Sequence, residues 1–429
     1  MAIAPLVIFY AMGYRVGIDL GDALPVGVLI IETEPRRAQI TIDNKVVGAT
    51  PRSVSNLPPG EVTISISKDG YVAWLKRLTI EPTVVTYLNS VRLFPTQPKN
   101  SIMLNNIDSF SLSPNRQLLA ATTPDYKLHV IDEEGSPVIS PLPTYIASQE
   151  LLWSPDSNRI LLITDNTTSV IDITDRSPRP RRLPALRQAR QITWDPRIPG
   201  RLLAVSRAGD LFAYNIATDT TVRLASSVHT FATSSHNIYV VGASTRQIDI
   251  HNLQGQLART LSWPVDQTID QLLVTPSGHV AVQFNDKSLA VLDEEEEFQP
   301  VADNILRAGW SPDGQLLYIQ VDETSLHVFN ARDERLSYLP PGQLRLVLRL
   351  SRSLRSPQWF AGGHHLIYQV DDEIIITEVD TRDHPISYTV ASTNLGNSQA
   401  TVGQNGDTIF YLKRTGAATQ LVATSLIVE

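Results

Sequence analysis

Apolar and polar residues alternate with a period of two along most of the chain, which is the pattern of strands that bury one face. Between residues 26 and 95, Leu29 and Ile31 fall on one face, opposite Val28, Ile30 and Glu32. Ala38–Asp43 is a second strand, Asp43-Asn44-Lys45 a tight turn, and Val46-Val47 the start of the return. Leu57-Pro58-Pro59-Gly60-Glu61 and Lys68-Asp69-Gly70-Tyr71 read as turns on either side of Val62–Ser67. Strands over Leu75–Ile80 and Thr83–Leu93 complete a small antiparallel β-sandwich over residues 26–95.

From residue 101 the alternation is organised into a repeat. Leu112-Ser113-Pro114-Asn115, Trp153-Ser154-Pro155-Asp156, Trp194-Asp195-Pro196, Val274-Thr275-Pro276-Ser277-Gly278 and Trp310-Ser311-Pro312-Asp313-Gly314 each precede a short apolar strand. Weaker copies stand at Thr233-Ser234-Ser235, at Trp359 with Gly362-Gly363, and at Val402 with Asn405-Gly406. Successive copies are 36 to 49 residues apart. A second alternating strand follows in each unit, as in Leu128–Asp132, Leu211–Asn215, Leu289–Asp293 and Leu326–Asn330. Four short strands per unit, repeated about eight times, predict a β-propeller over residues 101–429. The motif count gives eight blades, with seven as the alternative, and a strand at Ser101–Asn105 is expected to complete the short last unit. Trp153, Trp194, Trp310 and Trp359, with Pro155, Pro196 and Pro312, are read as blade-packing and turn residues rather than as a ligand platform. The fold class is therefore all-β.

Residues 1–25 stand apart. Met1–Met12 is apolar except for Tyr10, and Gly13, Tyr14, Arg15, Asp19 and Asp22 close the run. As a helix it would rise about 18 Å, too little for a hydrocarbon core of about 30 Å. The aromatic and arginine residues at its exit suit a membrane–water interface. The run is read as a short apolar helix, the outer end of an N-terminal membrane anchor that begins upstream. A buried segment of the fold and a secretion signal are the alternatives.

Composition narrows the chemistry. The 429 residues are 42% apolar and 19% charged, which argues against disorder. A net charge of −8 argues against a general nucleic-acid binder. The absence of cysteine removes disulfides, thiol catalysis and thiolate-held metals. No nucleophile elbow occurs: Gly242-Ala243-Ser244-Thr245-Arg246 fails at its last position. No phosphate-binding glycine fingerprint is present, and His364-His365, the only histidine pair, reads as a turn or surface pair. No cofactor, metal or catalytic residue is assigned. Asp293–Glu297 reads as a solvated hairpin loop. Arg176, Arg179, Arg181, Arg182, Arg187 and Arg190, with three prolines among them, read as one exposed basic loop. That loop is either simply solvated or a contact for an anionic partner such as lipid headgroups, a wall polymer or an acidic protein. Arg345, Arg349, Arg352 and Arg355 form a second basic stretch.

Two resemblances add to this reading. Thr33-Glu34-Pro35, Ala38-x-Ile40-x-Ile42-Asp43, Gly48-x-Thr50-Pro51, Leu57-Pro58-Pro59-Gly60 and Lys68-Asp69-Gly70-Tyr71 resemble the PEGA domain, with Asn44 where that family usually has glycine. The resemblance implies a surface or envelope protein whose small domain is a spacer or binding module. Pro35, Gly48, Pro51, Pro59, Gly60, Gly70 and Tyr71 are then turn residues. The Trp-Ser-Pro-Asp-Gly units resemble those of TolB-like propellers. Together these imply a monomeric, non-catalytic bacterial envelope protein, anchored by a single N-terminal segment with the bulk of the chain outside. Its partner would be an envelope protein or a cell-wall polymer. A propeller lyase or hydrolase using the central channel, and a cytosolic scaffold, are the alternatives.

Overall fold

The computed structural model describes residues 14–16, 23–144, 150–164, 167–243, 247–252, 254–263, 266–333, 336, 338–396, 398 and 400–428. Met1–Met12 lies outside the described residues, and so does the expected apolar helix. Tyr14–Val16 pairs antiparallel with Ala23–Pro25. The described residues contain strands and three short 3-10 turns, and no helix among them is long and apolar enough to cross a membrane.

The chain divides into two compact units. One comprises the residues up to Lys99 with Ile376–Val390 and the chain end from Ser425; the other comprises Asn100–Ile375 and Ala391–Thr424.

In the first unit a three-stranded sheet joins Arg52–Leu57, Gly27–Glu34 and Val85–Arg92, and a four-stranded sheet joins Lys45–Ala49, Gln39–Ile42, Gly60–Ser67 and Trp74–Ile80. Leu29, Ile31, Ile40, Ile64, Ile66, Trp74, Leu78, Ile80 and Leu88 are buried together. The expected all-antiparallel sandwich needs correction, because Gly27–Glu34 and Val85–Arg92 run parallel, from Val28 opposite Val85 to Glu34 opposite Arg92. After Ile80 the chain changes sheet through Glu81–Val84 and enters beside the first strand in the same direction. Bonds from Thr83 N to Val26 O (3.0 Å) and from Val28 N to Val84 O (3.2 Å) fix that register. Asp43 and Asn44 both take positive φ (46° and 64°), so asparagine serves the turn where glycine was the usual residue.

Eight four-stranded sheets follow among the described residues, and in the first seven each strand lies beside its neighbours in sequence. Sheet one holds Ser109–Leu112, Leu118–Thr122, Lys127–Asp132 and Pro137–Pro143; sheet two Glu150–Trp153, Arg159–Ile163, Thr168–Asp172 and Arg181–Arg182. Sheet three spans Gln191–Ala225, sheet four Val228–Ser262, sheet five Ile269–Ala302, sheet six Arg307–Arg349 and sheet seven Leu354–Ser392. Sheet eight takes Thr401–Val402, Thr408–Thr415 and Ala418–Ser425, and Lys99–Asn105 is its fourth strand. The antiparallel meander gives each sheet two ends. At the leading end lie the loops between sheets and the turns joining strands two and three. At the trailing end lie the turns joining strands one and two and the loops joining strands three and four. The middle strands are buried on both faces, as in Leu118–Thr122 and Val280–Phe284, so they read as apolar runs rather than as alternations.

Candidate functional site

The tryptophans of the repeat tie neighbouring sheets. Each ends a first strand and donates its indole N–H to a main-chain carbonyl in the first strand of the preceding sheet. Trp153 bonds Ser111 O at 3.2 Å, and Trp194 bonds Leu152 O at 3.1 Å. Trp359 bonds Gly309 O at 2.8 Å, and Trp310 bonds Leu273 O at 3.2 Å. Trp153, Trp194 and Trp359 are buried, which leaves little ring surface for a ligand. Gly309 is needed where it stands: a Cβ there would lie 2.6 Å from the ring of Tyr318, which packs against Trp359 at 6.3 Å between centroids.

The serine of each turn closes it from inside. Ser154 Oγ donates to Asp156 Oδ1 (2.5 Å) and accepts from Arg159 N (2.9 Å), with Pro155 between them. Ser311 repeats this with Asp313 (2.5 Å) and Leu316 N (2.9 Å) around Pro312, and Ser113 with Asn115 (2.6 Å) and Leu118 N (2.9 Å). In the third sheet Asp195 replaces the serine before Pro196. It is buried, takes a bidentate bond from Arg197 at 2.6 and 2.8 Å, and also pairs with Arg201.

The turn residues of the small domain are likewise engaged in structure. Pro35 and Pro51 follow cis peptide bonds. Thr33 Oγ1 donates to Pro35 O (2.8 Å) and meets Thr50 Oγ1 at 2.6 Å, and Ala38 N donates to Thr50 Oγ1 (3.0 Å). Gly48, Gly60 (after Pro59) and Gly70 have positive φ. Tyr71 N closes its turn on Lys68 O (3.0 Å), and the Tyr71 hydroxyl accepts from Val428 N (2.9 Å).

The structure does not gather the six arginines of 176–190 into one loop. All six are exposed, but the segment contains a strand, Arg181–Arg182, and a 3-10 turn, Pro184–Leu186. That strand runs antiparallel to Thr168–Asp172, with Arg182 opposite Ser169. Arg176 and Arg179 therefore emerge at the trailing end, Arg187 and Arg190 at the leading end, and Arg181 and Arg182 lie between. Arg179 and Arg181 share a trailing-end groove of about 350 Å³ with Arg159, Asp172 and Asp175. Arg181 donates there to Ile216 O (2.6 Å), and Asp172 holds Arg159 at 2.9 Å, so the groove is of mixed charge. Arg190 is spent on Ser206 O (3.1 Å) and Val228 O (2.8 Å).

A second groove, of about 480 Å³, opens at the leading end of sheets six and seven. Leu306, Arg307, Gln320, Glu323, Ser353, Leu354, Arg355 and Ser356 line it. Ser353 Oγ donates to Glu323 Oε2 (2.8 Å), and the amide of buried Gln320 donates to Leu354 O (3.3 Å). Ser356 has φ of +49°, unusual for a residue other than glycine. It sits in a β-bulge where the register jumps from Arg355 opposite Gln369 to Gln358 opposite Ile367. Sequence reasoning noticed Arg355 but passed over Arg307, which lies 48 positions away and shares the groove only because two consecutive sheets begin at the same end.

Asp322, Asp156 and Asp195 have displaced titrations in three separate turns. Burial pushes the Asp322 carboxyl up, but the N–H and hydroxyl bonds from Thr324 outweigh it and hold it at about 2. Burial also opposes ionisation of Asp156 and Asp195, yet hydrogen bonds from Ser154 and Asn158, and from Arg197 and Arg201, keep both below the usual carboxylate range. Burial and the bond to Asp219 raise Tyr214 to about 12. Of the histidine pair, His365 is buried, with its ring edge-on to Phe360, so it is not a surface residue as expected. Asp293–Glu297 is the turn between two strands, as read, closed by Glu297 N on Asp293 Oδ1 at 2.8 Å. No group of three or more His, Asp or Glu that could hold a metal occurs among the described residues.

Similarity to known proteins agrees with this architecture. The chain is similar to solved β-propeller structures, including the C-terminal WD40 domain of Sif2. That match has 13% identity and a TM-score of 0.53, and covers 76% of this chain and 98% of that one. A structure described as a eukaryotic initiation factor matches at 11% identity with a TM-score of 0.50, covering 75% of this chain and 87% of that one. At such identities the likeness shows the fold alone, and the fold is an all-β propeller. Residues 26–95 match the PEGA domain family. A search of the curated proteins returns no match.

Proposed function

We propose that this chain is a non-catalytic binding protein of the bacterial envelope. Its eight four-stranded sheets are the blades of one propeller that presents an end face to a protein or polymer, and the PEGA domain serves as a spacer. The observation that carries this reading is where the polar chemistry of the propeller is spent. The carboxyls of Asp156, Asp195 and Asp322 are each locked by the hydroxyl, amide or guanidinium groups of their own turn, and Glu133, raised by burial, accepts from Gln404 N. The indoles of Trp153, Trp194, Trp310 and Trp359 are spent on neighbouring sheets. General acid–base work needs titratable groups that converge on one cavity, whereas these groups are distributed one turn at a time. The TolB-like subtype rests on the Trp-Ser-Pro turn, seen most fully at Trp153 and Trp310. The envelope location rests on the PEGA match and on the apolar run Met1–Met12.

Carbonate extraction of membranes, with protease shaving of intact cells expressing the gene from its native start, tests the location. Retention in the membrane with cleavage from outside supports the reading. A protein that washes off and is protected inside the cell contradicts it.

A further inference from the structure

We infer that the leading-end groove of sheets six and seven is a docking site for an acidic peptide segment of a protein partner, with Arg307 and Arg355 receiving its carboxylate. This rests on the reading of the propeller as a binding platform and names the surface and the chemistry of its partner.

The charge relations of these two arginines suit them to an outside carboxylate. Several guanidinium groups of the propeller are answered by its own carboxylates: Arg197 and Arg201 converge on Asp195, Arg352 meets Asp371 at 2.7 Å, and Arg159 meets Asp172 at 2.9 Å. Arg307 and Arg355 are both exposed on one groove, and among the described residues neither has a carboxylate within ion-pair distance. Arg355 donates to the main-chain carbonyl of Gly396, which orients the side chain and leaves its charge unanswered. A guanidinium fork matches a carboxylate with two parallel hydrogen bonds.

The rest of the lining selects a peptide over a dense polyanion. Glu323 lies on the same groove, bonded to Ser353, so the lining carries two positive charges and one negative. A polyphosphate-like chain would meet Glu323 with like charge along its length. A peptide brings an isolated carboxylate for the arginines, main-chain N–H donors for Glu323, and apolar groups for Leu306, which is 42% exposed at the rim. The bulge at Ser356 also fits a built site, since bulges of this kind re-aim side chains next to binding sites.

A phage-displayed random peptide library panned on the full chain tests the proposal, with each selected peptide then titrated against Arg307→Ala, Arg355→Ala, the double variant and Glu323→Gln. All three positions are exposed, so the thermal midpoint of each variant should match that of the parent. Selected peptides should be enriched in Asp and Glu. Their affinity should fall at least tenfold in either arginine variant and steepen with dilution of salt, and it should hold or rise in Glu323→Gln. Acidic peptides that bind the double variant as well as the parent would overturn the groove while leaving the platform standing. Stronger retention of polyphosphate than of any selected peptide would assign the groove to an anionic polymer and overturn the peptide. A library that yields no binder at all would overturn both readings.

Discussion

Lys76 and Glu378 form a buried ion pair. Nζ and Oε1 are 2.7 Å apart, and the two side chains are 0% and 6% exposed. Both belong to the first compact unit, and the pair is fully solvated by its own neighbours. Lys76 also donates to Asp380 O at 2.6 Å, the Trp74 indole donates to Glu378 Oε2 at 3.0 Å, and Ile386 N donates to Glu378 Oε1 at 2.9 Å. Asp380 is held in turn by Arg382, which also donates to Tyr87 O at 3.1 Å. The PEGA match ends at residue 95, yet the carboxylate that answers its most buried lysine comes from residue 378.

Removing one partner of such a pair leaves an uncompensated buried charge, which costs about 3–5 kcal/mol. Glu378→Ala should therefore lower the stability of this unit by about that amount in urea denaturation of the full chain. The double variant Lys76→Met/Glu378→Leu should recover most of the loss, because packed apolar groups can replace a buried pair. A single variant as stable as the parent would contradict the account.

The indole bonds between sheets make a separate prediction. Trp310→Phe keeps most of the ring but deletes the donor to Leu273 O. Leaving that carbonyl without its partner should cost about 1–3 kcal/mol. Trp310→Ala should cost more, about 3–5 kcal/mol, since it also opens a cavity. Thermal melts of the two variants check the order. A Trp310→Phe variant as stable as the parent would mean that the hydrogen bond contributes nothing beyond the packing of the ring.

Ser311→Ala should act through the turn itself. The hydroxyl bonds Asp313 and accepts from Leu316 N, so its loss should destabilise by about 1–2 kcal/mol and raise amide exchange at Leu316. Unchanged exchange at that amide would count against the turn as a unit of stability.

The carboxyls locked in turns predict a one-sided response to acid. The folded-state pKa of Asp322 is about 2, against 3.8 for the free group. A group depressed on folding contributes stability that is fully present above its unfolded pKa and is lost as pH falls through the folded one. Stability should thus be level at neutral pH and decline between about 4 and 2. Asp322→Asn should flatten that decline. Urea midpoints measured across this range, with the same slope in parent and variant, would contradict it.

Much of the architecture is legible in the sequence because it is written in short-range signals. The turns around Pro155 and Pro312 sit within five residues of the strands they start, and the expected strand at Ser101–Asn105 does join the last sheet. What escaped the sequence depends on long-range pairing. The parallel course of Val85–Arg92 beside Gly27–Glu34 is set by a change of sheet that alternation does not record. The arginine run looked like one loop because a two-residue strand, Arg181–Arg182, leaves almost no periodic trace. The burial of Lys76 did have a signal: it shares the phase of Trp74, Leu78 and Ile80, the inward positions of its strand. Its partner, 302 positions away, had none. Of the candidate groove, Arg355 was visible as part of a basic stretch, while Arg307 became relevant only with the sheets in register.

The most direct test of the binding role is site-specific photo-crosslinking in cells. A crosslinking residue at position 353, on the rim of the leading-end groove, is compared with one at position 222, an exposed site on the fourth strand of sheet three where the side chain is 60% accessible. The account predicts a discrete crosslinked partner from position 353, lost in the Arg307→Ala/Arg355→Ala background, and none from position 222. Crosslinking from position 222 alone, or from neither position, would contradict the claim that this propeller binds its partner through the end face of its sheets.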